Sequence, residues 1–250
     1  MRRRGRGSAP RIGAVVAALG AACLALAPPA ARTAGSAGGP GAGGGAPAVD
    51  RMLRPLIEAR AATARLILDR SDPFGGPPER TTGRLWYQPG RGLRVRFDGS
   101  GGEELVADHV HGAFSLYRPS ERTVYRAPWE RAPARLRRLI EEPSRILESD
   151  LRARPERLVF LGTARDGQRL REASLGDSTG ARSLWIGPDS RSGLLRWICI
   201  AAPEDTVWFE LRNLALHRTA SDRDIALSAP RGTPVEPMDP REMLPGGDRR

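Results

Sequence analysis

The stretch GRLWYQPGRGLRVRF, Gly83–Phe97, decides the fold class because apolar side chains recur at every second position in each half. These residues are Leu85, Tyr87, Leu93, Val95 and Phe97. Three arginines and a glutamine stand on the opposite side of the pattern. A period of two predicts extended strands with one apolar face and one polar face. The central PGRG predicts a tight turn, so the stretch should fold as an antiparallel hairpin.

The same alternation on both sides of this hairpin predicts about eleven strands in all. They cover residues 82–88, 93–98, 104–107, 113–118, 123–127, 157–162, 168–174, 183–186, 194–201, 206–216 and 224–228. Short, turn-rich connections such as DGSGG and PDSRSG favour antiparallel neighbours. We therefore expect a mainly β fold with helices (α+β), in which a strongly curved antiparallel sheet forms an incomplete barrel.

Two helices are predicted to lie as a lid over the concave face of this sheet. Residues 49–68 carry apolar side chains at spacings of three and four, which predicts one long amphipathic helix. A second helical pattern covers residues 133–151, and Pro143 should break it. The lid residues expected to face the sheet are Leu56, Ile57, Leu136, Leu139 and Ile140.

The two ends of the chain have a different composition from its middle. Residues 1–34 begin with MRRRGRGSAPR and continue with an Ala-rich apolar run, which predicts a signal peptide for export. Within it, Cys23 is either a small apolar residue of the signal core or the site of a lipid anchor. A Gly/Ala/Pro-rich tether is predicted at 35–48, a folded domain at 49–237 and a disordered tail at 238–250.

Charge and motif content argue against several classes of function. The net charge is +11 and all 40 basic residues are arginine, but no basic block is interleaved with aromatic residues, so we expect no nucleic-acid partner. No nucleophile elbow, phosphate loop or paired-carboxylate motif occurs, which predicts no catalytic residues, no cofactor and no enzyme activity. His109 and His111 lack further ligands at metal-site spacing, so no metal is expected. Cys199 has no partner for a disulfide within the exported chain and should be a buried thiol.

The wide apolar face of the predicted sheet permits two interpretations. It is either an ordinary core closed by the first helix, or the lining of a cavity that holds an apolar ligand. The pattern of the residues alone leaves both interpretations open.

The segment from GRLWYQP to SERTVYR resembles the LolA family of periplasmic lipoprotein carriers, whose signature contains G-x-L-W, V-x-D and Y-x-P motifs. The matching residues are Gly83, Leu85, Trp86, Val106, Asp108, Tyr117 and Pro119. The C-terminal third resembles the family's order of a strand, an Asp-containing turn, two long strands and a closing Pro-x-Gly. The resemblance covers about residues 49–237. Gln88 stands where the family has an arginine that holds the helical lid closed.

The resemblance implies a monomeric periplasmic carrier that shields the acyl chains of lipoproteins in a hydrophobic cavity. It also implies two protein partners, an ATP-driven lipoprotein exporter in the inner membrane and an acceptor in the outer membrane. The expected cavity residues are Leu85, Tyr87, Leu93, Val95, Phe97, Trp197, Phe209 and Leu211. Two alternatives remain: a lipid-binding module tethered to a membrane through Cys23, and an envelope-sensing domain with a fully packed core.

Overall fold

The computed structural model describes residues 45–70, 76–99, 101–132, 134–142, 158–165, 168–176, 183–202 and 205–239. The predicted signal peptide with Cys23, most of the predicted tether and the tail after residue 239 lie outside these ranges. No helix in the described part of the chain is long and apolar enough to cross a bilayer.

The fold consists of strands with two short helices. The helices are α1 (Gly45–Glu58) and α2 (Ala134–Glu141). The strands are β1 (Ala61–Arg70), β2 (Glu79–Gln88), β3 (Gly92–Phe97), β4 (Glu104–Asp108), β5 (Ala113–Arg118), β6 (Thr123–Pro128), β7 (Leu158–Arg165), β8 (Gln168–Gly176), β9 (Ser183–Pro188), β10 (Leu195–Ala202), β11 (Asp205–His217) and β12 (Val235–Pro237). Single 3-10 turns occupy Trp129–Arg131 and Asp222–Ile225.

All twelve strands belong to one sheet in the order β12-β6-β5-β4-β3-β2-β1-β11-β10-β9-β8-β7. Strands β1 to β6 form one antiparallel meander and β7 to β11 form a second. Antiparallel pairing of β1 with β11 joins the two meanders, and β12 adds a short parallel strand beside β6. The prediction of a mainly β protein with an open antiparallel sheet is confirmed.

The predicted helix over residues 49–68 is wrong in its second half, which is strand β1. This central strand lies between β2 and β11, and its residues Leu66, Ile67 and Leu68 form an unbroken apolar run. Leu66 and Leu68 point to one face and Ile67 to the other, and all three are buried. Such a run satisfies a helical period as well as a strand period, which explains the error.

The other differences between the predicted and the observed element boundaries lie at the two ends of the domain. Helix α1 begins at Gly45, inside the predicted tether, because proline is compatible with a first helical turn and Pro47 lies there. The predicted last strand, 224–228, is wrong: its first two residues lie in the 3-10 turn, where Ser221 and Asp224 cap each other's backbone N–H groups. The last strand is β12, and after it Met238 donates its N–H to the Arg126 carbonyl at 3.0 Å.

The strands divide the side chains between two faces, which we call the inner face and the outer face. The inner face carries one hydrophobic cluster of 23 buried residues, which continues from β5 through β1 to β10 and includes residues of both helices. A flat sheet would separate β5 from β10 by roughly 30 Å at about 4.8 Å per strand. The cluster is continuous across these neighbouring strands, and both helices contribute residues to it.

Gly92 tests how tightly the chain packs on the outer face. A Cβ at this position would lie 2.4 Å from the Ala107 carbonyl oxygen and 2.9 Å from Cγ2 of Ile225. Gly92→Ala should therefore lower the free energy of unfolding by about 1–3 kcal/mol in urea denaturation. Gly101→Ala is the matched control, because the nearest atom to its Cβ is 4.0 Å away. Equal stabilities of the two variants would contradict this packing.

Candidate functional site

Seven of the eight predicted cavity residues lie together on the inner face. They are Leu85, Tyr87, Leu93, Val95, Phe97, Phe209 and Leu211, with exposed fractions between 0% and 6%. Their strands are neighbours and their register places them side by side: Leu85 opposes Val95, and Tyr87 opposes Leu93. The alternation in the sequence therefore identified a continuous apolar surface.

Trp197 is the exception, since the structure places it on the outer face. Its Cα partner on β11 is Glu210, whereas the neighbouring Ile198 opposes the inner-face residue Phe209. A register shift between Leu195 and Trp197 adds one residue to β10, which reverses the side to which the following side chains point. Alternation within one strand carries no signal for such a bulge.

The helices cover the inner face with the chain's own side chains. Leu136 and Ile140 of α2, two of the predicted lid residues, are fully buried in the cluster. The side chain of Leu139 lies outside the described part. From α1, Met52 is buried and was missed by the prediction, whereas the predicted Leu56 and Ile57 are only half-buried against the cluster. The two helices are therefore attached unequally.

Helix α2 is fixed at its C-terminal end. The Gly90 N–H donates to the Ile140 carbonyl at 2.7 Å, which ties the helix to the β2–β3 turn. Trp129 Nε1 donates to a Glu141 carboxylate oxygen at 2.5 Å, and His109 Nδ1 lies 3.4 Å from the same oxygen. These contacts hold α2 over the apolar face.

Gln88, which stands where the LolA signature has an arginine, contacts the segment that follows β11. Gln88 is buried, and its Nε2 donates to the Ser221 carbonyl at 2.8 Å. The nearby Arg91 forms an ion pair with Asp222. Both therefore hold residues 218–234, the connection from β11 to β12, which we call the strap.

The strap crosses the outer face over β2, β3 and β4. Ile225, a residue of the strap, is fully buried. The Ser228 N–H donates to Glu104 at 2.8 Å, and Glu104 is paired with Arg94 at 2.9 Å. Glu104 is 1% exposed, so this pair and its hydrogen bond satisfy a charge that would otherwise be costly to bury.

Beside the strap, the outer face has polar grooves instead of apolar ones. A groove of about 520 Å³ is lined by Arg65, Arg84, Trp86, Asp98 and Asn213 among others. A second groove, of about 430 Å³, shares Arg84 and Trp86 and adds Arg94 and Arg96. Among the described residues, no group of histidines, cysteines and acids is placed to hold a metal. The chemistry of this face is thus cationic.

The outer-face carboxylate Glu210 lies between two arginines. Arg212 donates to it at 2.7 and 3.0 Å, and Arg196 donates at 2.9 Å. Burial alone would raise the pKa of Glu210, but these hydrogen bonds and charges outweigh it and hold the pKa below its ordinary value. Backbone N–H groups, above all that of Ser192, likewise lower the pKa of Asp189, which also accepts from Arg196.

No family model matches the chain. No curated protein matches it significantly either. Among solved structures, an uncharacterized conserved protein from Thermus thermophilus covers 77% of this chain and 98% of its own at 10% identity, with a TM-score of 0.49. MucB in its complex with MucA, from Pseudomonas aeruginosa, covers 74% and 61% at 12% identity, with a TM-score of 0.45. A LolA superfamily protein from Nitrosomonas europaea covers 72% and 96% at 6% identity, with a TM-score of 0.36. At these scores the similarities carry no argument about function, which therefore rests on this chain's own residues.

Glu210 gives a pH-dependent prediction. Glu210→Gln should lower the free energy of unfolding by about 1–2 kcal/mol at pH 7, because two arginines lose their charged acceptor. A carboxyl group whose pKa is lowered by folding stabilises the protein above its unfolded-state pKa of 4.5. This stabilisation is lost as the pH falls through the folded-state pKa. The difference between wild type and variant should therefore shrink below about pH 4.5 in urea denaturation. The exposed Glu130→Gln is the charge-matched control, and a difference that persists unchanged to pH 3 would contradict the assignment.

Proposed function

We propose that this chain is a non-enzymatic lipid-binding protein of the cell envelope that takes up acyl chains on the inner face of its sheet. The observation that carries the proposal is the incomplete attachment of helix α1. Its residues Leu53, Leu56 and Ile57 cover the apolar cluster while each remains half-buried. A cover of this kind can leave and let hydrocarbon take its place.

The inner face has the chemistry that an acyl chain requires. The seven predicted cavity residues that lie on this face are apolar apart from the hydroxyl group of Tyr87. Keeping an acyl chain out of water is worth about 0.8 kcal/mol per CH₂. A surface without polar anchors binds any such chain through its area, which suits a protein that must also release its ligand.

Helix α1 is the element best suited to move. Pro55 lies inside it and removes one backbone hydrogen bond, which weakens the helix at its centre. With 14 residues, α1 is near the length at which isolated helices are marginal in water, so its packing on the cluster stabilises it. The strands, in contrast, are held by continuous ladders of hydrogen bonds.

The finer proposal concerns cargo and location. The predicted signal peptide at 1–34 supports export, and the resemblance to lipoprotein carriers supports acylated lipoproteins as the cargo. An inner-membrane exporter and an outer-membrane acceptor would then be the donor and the recipient. The anchored alternative requires acylation of Cys23, and loss of fatty-acid labelling on Cys23→Ser would identify it.

One observation favours a second candidate, an envelope-sensing domain without a lipid ligand. The seven inner-face residues predicted to line a cavity are all covered by the chain's own side chains. A permanently closed protein would use the cluster only as a core. The two candidates differ in whether the inner face ever accepts a ligand.

Weakening the cover distinguishes these candidates. If an acyl chain competes with α1, Leu56→Ala/Ile57→Ala should raise the affinity for a fluorescent palmitate probe by about three- to tenfold, because less free energy is needed to open the cover. The same variant should unfold at lower urea. Fluorescence titration of the purified chain measures the first effect and circular dichroism the second.

Glu58→Ala is the control on the same helix, since the Glu58 side chain is 64% exposed. It should leave probe affinity within about twofold of wild type. No uptake by wild type or by the double variant, together with no lipid in mass spectra of protein purified from envelope extract, would refute lipid binding. A double variant that binds the probe more weakly would refute displacement of α1.

A further inference from the structure

Three arginines stand side by side across the outer face. Arg65 of β1, Arg84 of β2 and Arg96 of β3 are successive Cα partners in the sheet, and all three are exposed. Neighbouring strands are about 4.8 Å apart, so the Cα atoms of the three residues lie within roughly 10 Å along the sheet. We call these residues the arginine row.

The arginine row lacks the partners that other arginines of the sheet have. Arg80 is paired with Asp69 at 2.7 Å and Arg94 with Glu104 at 2.9 Å. Within the described part of the chain, the three residues of the row make no ion pair or side-chain hydrogen bond. Like charges directly opposite each other on a sheet destabilise it. The described residues therefore supply no counter-charge to the row, and an external anion would supply it.

The nearby carboxylates are already engaged. Asp98, which lines both grooves, accepts a hydrogen bond from the Thr82 hydroxyl at 2.9 Å. Glu210 accepts from Arg212 and Arg196, and Glu104 from Ser228. Among the residues that line the two grooves, arginines therefore outnumber the single carboxylate, Asp98.

Trp86 lies in both grooves beside the row. It is half-buried, and the guanidinium carbon of Arg94 stacks over its ring at 4.6 Å from the centroid. Tryptophan is enriched where a membrane meets water, because one end of its ring system is apolar and the other polar. The face thus combines a lateral row of phosphate-binding groups with an interfacial aromatic residue.

We propose that the arginine row docks the protein on the phosphate headgroups of an anionic lipid bilayer. Charge complementarity supports a bilayer, since a row of separate cations on an exposed sheet face matches a two-dimensional array of phosphates better than one small ion. An acidic protein partner would need apolar anchors around the charges, and the groove residues other than Trp86 are mainly polar. The inference does not depend on an acyl-chain site, which lies on the opposite face.

Vesicle flotation with the purified chain tests this docking. Vesicles of phosphatidylcholine with about one third phosphatidylglycerol should bind the chain, and pure phosphatidylcholine vesicles should not. The triple variant Arg65→Gln/Arg84→Gln/Arg96→Gln should lose at least about tenfold in affinity. Raising the salt concentration should weaken wild-type binding, because exposed charges are screened.

A second triple variant, Arg60→Gln/Arg131→Gln/Arg191→Gln, removes the same charge from exposed positions outside both the row and the strap. It should retain most of the wild-type affinity. Equal loss in both triple variants would overturn the proposal in favour of a net-charge effect. Binding to poly-glutamate but not to anionic vesicles would overturn it in favour of an acidic protein partner. Unchanged palmitate-probe binding by the row variant, with near-ultraviolet circular dichroism like wild type, shows that the fold and the inner face are intact.

Discussion

The pairing of β1 with β11 is the interaction on which the rest of the structure depends. It joins two meanders that are otherwise separate, and it does so between segments about 150 residues apart, from Ala61↔His217 to Arg70↔Val207. The register shifts once, where β11 has an extra residue around Asn213, whose φ is +54°. Because of this bulge, Leu211 and Leu214 both contact the cluster, and the inner face stays apolar on both sides of the junction.

The sequence predicted those parts of the fold whose pattern is local. The hairpin of β2 and β3 was evident because one of its faces carries mainly polar residues and the other apolar residues, which makes the period of two visible. Strand β1 was not evident, since Leu66, Ile67 and Leu68 form an unbroken apolar run that hides the period of two. The side to which Trp197 points depends on a bulge, and the arginine row depends on the register of three strands. Neither property is present in a single segment.

The inner face imposes a balance between stability and ligand binding. The residues that make it suitable for hydrocarbon are the same residues that α1 and α2 cover, so any acyl chain has to compete with the protein's own core. The apparent affinity for the ligand is then proportional to the population of the open state. The two helices divide this task unequally: Leu136 and Ile140 of α2 are fully buried, whereas α1 contributes half-buried residues around Pro55. An arrangement of this kind allows opening at one helix without loss of the whole core.

The pleat of the strands separates the outer face from the proposed opening at helix α1. Side chains that alternate along one strand point to opposite sides, so displacement of α1 from the inner face leaves the surroundings of Arg84 on the outer face unchanged. The strap reinforces the separation, because it engages the outer face through Arg91 and Arg94 near the β2–β3 turn and leaves the arginine row uncovered. A protein built in this way can rest on an anionic surface with one face while the other face exchanges its helix for a ligand. Under the two proposals, contact with the surface and access to the core would be independent consequences of the same strand alternation.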